Sequence, residues 1–209
     1  MKTFTQFTES LDPSSSTLHA FDMDETLFGH DHNKLKIHVN DPSGKKVASL
    51  TNQEFNTHKL PPHHSYDFSD FKSSDTFKKS ARPIRKMIAK MKAIHKNNKN
   101  VEIVTARSDM DDKEKFGHHL KKYGIDIGKI HVRRAGNLGQ GNPGVQKKQV
   151  ISNLIKKNGY KKVHLYDDSH SNLEHFKALK QDHPDVEFHA HHVHHDPETG
   201  TTTVTTTKV

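Results

Sequence analysis

The sequence predicts an α/β fold, namely a doubly wound, three-layer α/β/α arrangement around a parallel sheet. Two observations favour this class. Short apolar runs that suit buried strands recur along the chain, and from residue 83 onward they alternate with segments of helical period. Strands and helices that alternate at this spacing are typical of parallel βαβ units. Ligands of such sheets bind at the C-terminal ends of the strands, so the residues that follow each strand are the candidates for chemistry.

Each element of this fold rests on a local pattern. Apolar runs predict five strands, and helical periodicity between them predicts four helices. The predicted strands cover residues 17–21, 101–105, 130–132, 163–166 and 186–193. The predicted helices begin near residues 84, 109, 145 and 170. Gly124 and Gly159 stand where the second and third of these helices are expected to end, the position that glycine favours.

The domain boundaries follow from changes in composition. Residues 1–16 end in a serine run and read as an N-terminal leader, whereas residues 17–195 form the expected α/β domain. Within that domain, residues 28–80 predict a small insertion that acts as a flap. It contains a β-hairpin over residues 34–50 and a segment over 51–80 that we expect to be irregular. The threonine-rich residues 196–209 lack an apolar period and predict an extended or disordered tail.

Composition limits the classes of function. The chain has 209 residues, a formal net charge of +8 and no cysteine. The missing cysteines exclude disulfides, thiolate zinc sites and cysteine nucleophiles. The positive charge favours a partner that carries phosphates. No apolar stretch approaches the roughly 18 residues of a membrane span, so we expect a cytoplasmic protein without a membrane partner.

Reactive side chains follow several of the predicted strands. Asp22 and Asp24 come after the first strand, Thr105 ends the second, and a second acidic pair at residues 167–168 follows the fourth. Lys147 opens the helix before that fourth strand. Neighbouring carboxylates require a cation or a proton to offset their repulsion, and Mg²⁺ prefers such oxygen ligands. Acids for a metal, with a hydroxyl and a lysine for an oxyanion, indicate phosphoryl transfer.

These residues occur in the order of the four motifs of the haloacid dehalogenase superfamily of phosphohydrolases, which the chain resembles over residues 17–193. The first motif is similar to Ala20-Phe21-Asp22-Met23-Asp24-Glu25-Thr26-Leu27, the second to the strand that ends in Thr105, the third to the helix that opens with Lys147, and the fourth to Asp167-Asp168-Ser169-His170-Ser171-Asn172. The resemblance implies a Rossmann-type sheet with a small cap and a Mg²⁺-dependent phosphatase. The family usually has an acid where Asn172 stands.

The resemblance also implies roles for individual residues. Asp22 is the expected nucleophile that forms an aspartyl-phosphate, and Asp24 is the expected general acid and base. Thr105 and Lys147 are expected to hold the phosphoryl oxygens. The implied metal ligands are Asp22, the main-chain carbonyl of Asp24, Asp168 or Asp167, and Asn172. An acid at the position of Asp24 separates the phosphatases of the family from its dehalogenases.

The sequence is consistent with more than one class of phosphorylated substrate. The run from Thr105 to Arg107 and the later arginines resemble the phosphatase domain of phage polynucleotide kinase-phosphatases, which implies that the substrate is a nucleic-acid end or a nucleotide. The chain is also more loosely similar to haloacid dehalogenase proteins of tailed bacteriophages, which implies that the protein works in the host cytoplasm. The sequence Asp24-Glu25-Thr26-Leu27 instead resembles phosphatases that act on phosphoproteins. A basic nucleic-acid-binding protein without catalysis is the alternative from another class. The candidate substrate contacts are Thr26, Ala106, Arg107, Arg133, Arg134 and Lys148.

Two further patterns are weaker. The glycines between residues 136 and 144 do not have the spacing of a dinucleotide fingerprint and predict a flexible loop. The histidines between residues 189 and 195 alternate along a strand, so they predict a solvated, metal-binding edge without a caged site.

Overall fold

The computed structural model describes residues 16–97, 100–139 and 141–209. The predicted N-terminal leader therefore lies, apart from Ser16, outside the described residues. The strands are β1 (Thr17–Phe21), β2 (Phe28–His30), β3 (Ile37–Asn40), β4 (Lys46–Leu50), β5 (Ser65–Asp67), β6 (Ala81–Pro83), β7 (Val101–Thr105), β8 (His131–Arg134), β9 (Lys162–Asp167), β10 (Glu187–His195) and β11 (Thr202–Lys208).

The helices connect these strands and differ widely in length. They are α1 (Asn52–Thr57), α2 (Ser69–Lys72), α3 (Ser74–Ser80), α4 (Arg85–Asn97), α5 (Lys113–Lys121), α6 (Pro143–Asn158), α7 (His170–Lys177) and α8 (Leu179–Asp182). A single 3₁₀ turn covers Ala135–Leu138. None of the helices in the described ranges is long and apolar enough to cross a membrane.

The central sheet has six strands in the order β11-β10-β9-β1-β7-β8. All neighbours pair in parallel except β10 and β11, which are antiparallel. In the middle of the sheet, Phe21 lies opposite Ile103 of β7 and Tyr166 of β9. The prediction of an α/β fold with a mostly parallel sheet is confirmed, and β1 and β9 end side by side at its centre.

Helices cover both faces of the sheet. On one face, Phe21 and Tyr166 pack with buried residues of α4 and α5. On the other face, Leu18 and Leu165 pack with buried residues of α6 and α7. Successive side chains of a strand point to opposite faces, so one short apolar strand supplies both cores.

An inserted unit, residues 31–80, separates β2 from β6. These two strands pair antiparallel, and the backbone N–H of Asp31 donates to the carbonyl of Ser80 at 3.0 Å. Within the unit, β4, β3 and β5 form a three-stranded sheet. The hairpin predicted over 34–50 is confirmed as β3 and β4, with Asp41 bonded across the turn.

The prediction of an irregular segment over residues 51–80 is wrong, because this segment contains three short helices and β5. Thr51 and Glu54 form a reciprocal capping box that starts α1. The side chain of Ser73 caps α3 by accepting from the backbone N–H of Thr76. Thr51 and Ser73 therefore start helices in a polar segment where the sequence predicts a loop.

The prediction of a C-terminal tail outside the domain is also wrong for residues 202–208. This segment is the edge strand β11, which pairs with β10 from the His195–Thr202 pair to the His189–Lys208 pair. Threonine is β-branched and favours extended backbone even without an apolar partner on alternate positions. A consequence is that β10, with its histidines, is an interior strand rather than the edge predicted from its sequence.

Candidate functional site

Three buried side chains meet at the C-terminal ends of the central strands, and a fourth, Thr105, ends the neighbouring strand. Asp22 directly follows β1, Thr105 ends β7, and Asp167 ends β9, while Lys147 reaches the same place from the first turns of α6. Asn142 caps α6, and Pro143 occupies its first turn, so the start of this helix is fixed close to the strand ends. The structure thus brings together the residues that the sequence singled out as catalytic, with Asp24 beside them.

Lys147 is the cation at the centre of this cluster. Its Nζ donates to Oδ1 of Asp22 and to Oδ2 of Asp167, both at 2.7 Å, and its side chain is 2% exposed. Burial acts to lower the pKa of this ammonium group, but the carboxylates of Asp167 and Asp22 outweigh burial and raise it. Lys147 is therefore charged at neutral pH.

Three carboxyl groups offer oxygens for one metal ion. Ligand oxygens of Asp22, Asp167 and Asp168 lie within 4.8 Å of one another. Burial, and then the charge of Asp167, raise the pKa of Asp168 to about 8. Burial also raises the pKa of Asp22 well above its usual range. Oxygen donors whose negative charges repel each other fit a hard divalent cation such as Mg²⁺, which binds the ionised form.

Asn172, another predicted metal ligand, and Thr26 both bond to the carboxylates of this cluster. The Asn172 side-chain amide donates to Oδ1 of Asp167 at 3.0 Å, as does the backbone N–H of Ser169. Asn172 thereby orients Asp167, and its amide supports a carboxylate ligand instead of adding a charge. Thr26, predicted as a substrate contact, donates to Asp168 across 3.4 Å.

The side chain of Asp24 lies outside the carboxylate cluster and contacts two cationic or titratable groups. Arg107 donates to its oxygens from Nε and Nη2, with a shortest distance of 2.7 Å, and Nε2 of His30 lies 2.6 Å from Oδ1. Burial acts to raise the pKa of Asp24, but Arg107 and His30 together outweigh it and hold this pKa well below its usual range. In this arrangement Asp24 is a carboxylate.

A tight turn between β1 and β2 fixes the position of Asp24. The backbone N–H groups of Leu27 and Phe28 both donate to the carbonyl of Met23, and Glu25 has a positive φ of 56°. Burial, and then Asp24, raise the pKa of Glu25 to about 7. Glu25 and His30 are site residues that the sequence analysis did not select, because a lone histidine in a short strand carries no recognisable motif.

Arg107 links the site to the inserted unit. Its guanidinium carbon lies 4.9 Å from the ring centre of Phe71 and 5.0 Å from that of Phe77, and Nη1 donates to the carbonyl of Phe71 at 2.7 Å. The predicted substrate contact Arg107 is thus buried between two aromatic rings of the inserted unit while it holds Asp24. Movement of that unit would change the partners of Asp24.

The loop from Thr105 to Arg107 depends on a close backbone approach. Oγ1 of Thr105 accepts from the backbone N–H of Arg107 at 3.1 Å. A Cβ atom on Gly136 would overlap the carbonyl oxygen of Ala106 and lie 2.8 Å from the carbonyl carbon of Arg107. Glycine at this position lets the two loops pack together, so part of the glycine-rich segment shapes the site.

Three predicted substrate contacts are held elsewhere. Arg133 forms an ion pair with Glu102 of the neighbouring strand β7. Nε of Arg134 lies 3.5 Å from Asp109, and Nζ of Lys148 lies 2.7 Å from Asp182. None of the three forms a hydrogen bond or ion pair with the carboxylate cluster in the described part of the chain, so the structure does not bring them into the site.

The chain matches no protein-family model and no curated protein. The chemistry of the site therefore rests on its own residues. It combines a buried carboxylate, a charged lysine, a strand-end hydroxyl and three oxygens for a metal. Groups of this kind stabilise negative charge that develops on a transferring phosphoryl group.

Proposed function

We propose that this protein is a Mg²⁺-dependent phosphatase of the haloacid dehalogenase type, which acts through an aspartyl-phosphate on nucleotides or nucleic-acid ends. The observation that carries the proposal is the position of Lys147, whose ammonium group bridges Asp22 and Asp167 with Asp168 alongside. A buried ion pair of this kind is costly to build. A reaction that brings a phosphate dianion and a divalent cation to the same place gives it a use.

The first step transfers the phosphoryl group to Asp22. One carboxylate oxygen of Asp22 attacks phosphorus, the bond between phosphorus and the substrate oxygen breaks, and that oxygen takes a proton. Lys147 and the hydroxyl of Thr105 neutralise charge on the phosphoryl oxygens. Mg²⁺ held by Asp22, Asp168 or Asp167 and the carbonyl of Asp24 would neutralise charge on the same oxygens and favour ionised Asp22.

The second step returns Asp22 to its starting form. Water attacks phosphorus, the bond between phosphorus and Asp22 breaks, and inorganic phosphate leaves while Asp24 accepts the water proton. The carboxylate form of Asp24, held by Arg107 and His30, is the form that can accept it. To act as the acid of the first step, Asp24 first takes a proton from solvent, which requires its pKa to rise when Arg107 leaves it; a substrate phosphate that attracts Arg107 would produce this change.

The test is phosphate release from an aryl phosphate, a 3′-phosphorylated oligonucleotide and a phosphopeptide, each with Mg²⁺ and with chelator. We expect turnover that requires Mg²⁺, that is lost in Asp22→Asn and that is kept in Asp185→Asn, a matched change at an exposed residue remote in sequence from the cluster. Faster turnover of the phosphopeptide would favour a phosphoprotein phosphatase.

The alternative is a basic nucleic-acid-binding protein that has no catalytic activity, which the net charge of +8 favours. Its signature in the same experiment is salt-sensitive oligonucleotide binding that survives Asp22→Asn, with no turnover of any of the three substrates. A protein that only binds has no evident use for a lysine buried between two carboxylates.

A further inference from the structure

A basic groove lies between α3 and α5, apart from the carboxylate cluster. It encloses about 300 Å³, and the residues that line it include Lys78 of α3, Lys122 at the end of α5, Lys115 and the two adjacent histidines, His118 and His119. Asp112 and Glu114 also line it. The groove is therefore strongly charged and has more cationic than acidic side chains.

The lysines of the groove differ in their partners. Lys115 pairs with Asp75 at 3.2 Å and with Asp112 at 4.0 Å. Lys78 and Lys122 are exposed, and neither forms an ion pair within the described part of the chain. Two unpaired ammonium groups thus face the same cavity, and their mutual repulsion favours a bound anion.

His119 gives a second, independent observation. Its side chain is 8% exposed, and neither of its ring nitrogens has a hydrogen-bond partner. The ring packs edge to face against Phe77 and Tyr123, at centroid distances of 5.6 and 5.4 Å. A buried imidazole without a partner costs free energy, and an anion that accepts from its N–H would offset that cost.

The groove is close to the proposed catalytic residues. Phe77 contacts the ring of His119 on one side and the guanidinium group of Arg107 on another, at 5.6 and 5.0 Å. One aromatic side chain therefore separates the groove from the residue that holds Asp24. A ligand that contacts both places has to be longer than a single phosphate.

We propose that this groove binds phosphate groups of a nucleic-acid strand through Lys78, Lys122 and His119. The proposal rests on the proposed function in one respect. If the protein is the proposed phosphatase, the bound strand is its substrate and the terminal phosphate of that strand would reach Asp22. A strand is favoured over an acidic peptide because every nucleotide carries a charged phosphate, which suits cationic side chains contributed by two helices, and because the whole chain is basic. Inorganic phosphate shares the chemistry and is distinguished below.

The test measures binding, so it does not depend on turnover. An oligonucleotide without terminal phosphates is titrated with the full chain at several salt concentrations, and binding is followed by fluorescence anisotropy. For Lys78→Gln/Lys122→Gln we expect weaker binding and a salt slope smaller by about 1.4, since each contact to a single strand contributes roughly 0.7. The matched control Lys156→Gln/Lys157→Gln changes the same charge at exposed positions of α6.

The outcomes separate this proposal from its rivals. An equal loss of slope in both double variants would mean that only the net charge matters, and this would overturn the groove. Equal competition by polyglutamate would overturn the choice of nucleic acid. The imidazole signals of His119, followed by NMR, should move with the oligonucleotide; a response to inorganic phosphate alone would assign the groove to the free anion and overturn the strand.

Turnover then distinguishes the two levels of the proposal. If the enzyme hydrolyses an aryl phosphate, Lys78→Gln/Lys122→Gln should leave that rate unchanged and raise KM several-fold for the 3′-phosphorylated oligonucleotide. Unchanged KM for both substrates would overturn the groove while leaving the phosphatase intact. Absence of any turnover with the binding result retained would remove the phosphatase and leave the groove.

Discussion

At the scale of single residues, the unusual feature is a lysine buried between two aspartates. Lys147 is the charged group among the largest fully buried side chains of the described residues. Desolvation of an ion pair can exceed the attraction it gains, so such a pair is a weak argument for stability by itself. Removing one partner is a different matter, because the remaining charges stay buried without compensation.

This reasoning predicts the effect of Lys147→Met, which keeps a long side chain but removes the ammonium group. We expect the free energy of unfolding, measured with urea in chelator, to fall by about 3–5 kcal/mol. Lys157→Met on the exposed side of the same helix should change it by less than about 0.5 kcal/mol.

A second variant keeps this prediction testable if the first is hard to purify. Adding Asp22→Asn to Lys147→Met removes one of the uncompensated carboxylates, so part of the lost stability should return. If Lys147→Met is as stable as the natural chain, the ammonium group does not hold the site together.

Residues of the site differed in how far the sequence revealed them. Asp22, Thr105 and Lys147 could be predicted because each occupies a fixed place relative to a strand or helix, and the parallel sheet brings such places together. His30 could not, because a lone histidine has no motif and its ring is also held by Ser80, a residue distant in sequence whose hydroxyl lies 3.0 Å from Nδ1. Arg133 instead forms an ion pair with Glu102, because β7 and β8 are neighbours in the sheet, and this neighbourhood could not be predicted from the sequence.

At the scale of elements, the sequence predicts the parallel strands of the central sheet most reliably and the polar segments least. Buried parallel strands consist of continuous apolar runs, which stand out in this hydrophilic chain. The inserted unit and β11 contain few apolar runs. Their secondary structure depends instead on helix caps, on antiparallel pairing and on contacts between elements. The sequence therefore predicts loops in polar segments where the structure has helices and an edge strand.

A row of stacked rings joins the interior strands. His19, His164 and His189 lie in register on β1, β9 and β10, with ring centroids 4.4 and 4.5 Å apart. His191 stacks on Tyr166 in the next row at 4.1 Å and lies within hydrogen-bond distance of His164. Burial, with neighbouring cations and imidazoles, lowers the pKa of His19 and of His191 to about 4 and that of His164 to about 3.

These pKa values predict acid lability. The unfolded chain binds protons on these imidazoles below about pH 6.5, whereas the folded chain does not until about pH 3–4. The stability that the neutral rings contribute is therefore complete above about pH 6.5 and is lost as the pH falls toward 4. Urea unfolding between pH 7 and 4 should show a steep decline in the free energy of unfolding.

The variant His164→Phe tests the origin of this decline. Phenylalanine keeps a planar ring in the stack but cannot take a proton, so the decline should become shallower below pH 6. His131→Phe is the matched control, because the His131 side chain is 61% exposed. If the two variants change the pH dependence equally, the buried row is not its cause.

At the scale of the whole molecule, the local charge at the candidate site is opposite in sign to the net charge of the chain. The chain carries a net charge of +8, yet the ends of its two central strands place Asp22, Asp167 and Asp168 around a single lysine. Local negative charge in a basic protein favours a small cation at that place and phosphate groups around it. The fold creates this contrast, because β1 and β9 are neighbours in the sheet although about 140 residues separate them in sequence.

This contrast predicts how a divalent cation changes the stability of the protein. A cation that binds only the folded chain stabilises it by about 2.7 kcal/mol at a concentration of 100 times Kd, so Mg²⁺ should raise Tm and chelator should reverse the rise.

The pKa of Asp168 is raised to about 8, so the folded chain without metal holds a proton there that the cation must displace. The gain in Tm should therefore be larger at pH 9 than at pH 6. Asp168→Asn should lose most of the gain and, in chelator at pH 9, be at least as stable as the natural chain, since one of the repelling charges is gone. Asp185→Asn, at an exposed position, should keep the full gain. An equal rise of Tm in both variants would mean that Mg²⁺ acts elsewhere on the protein.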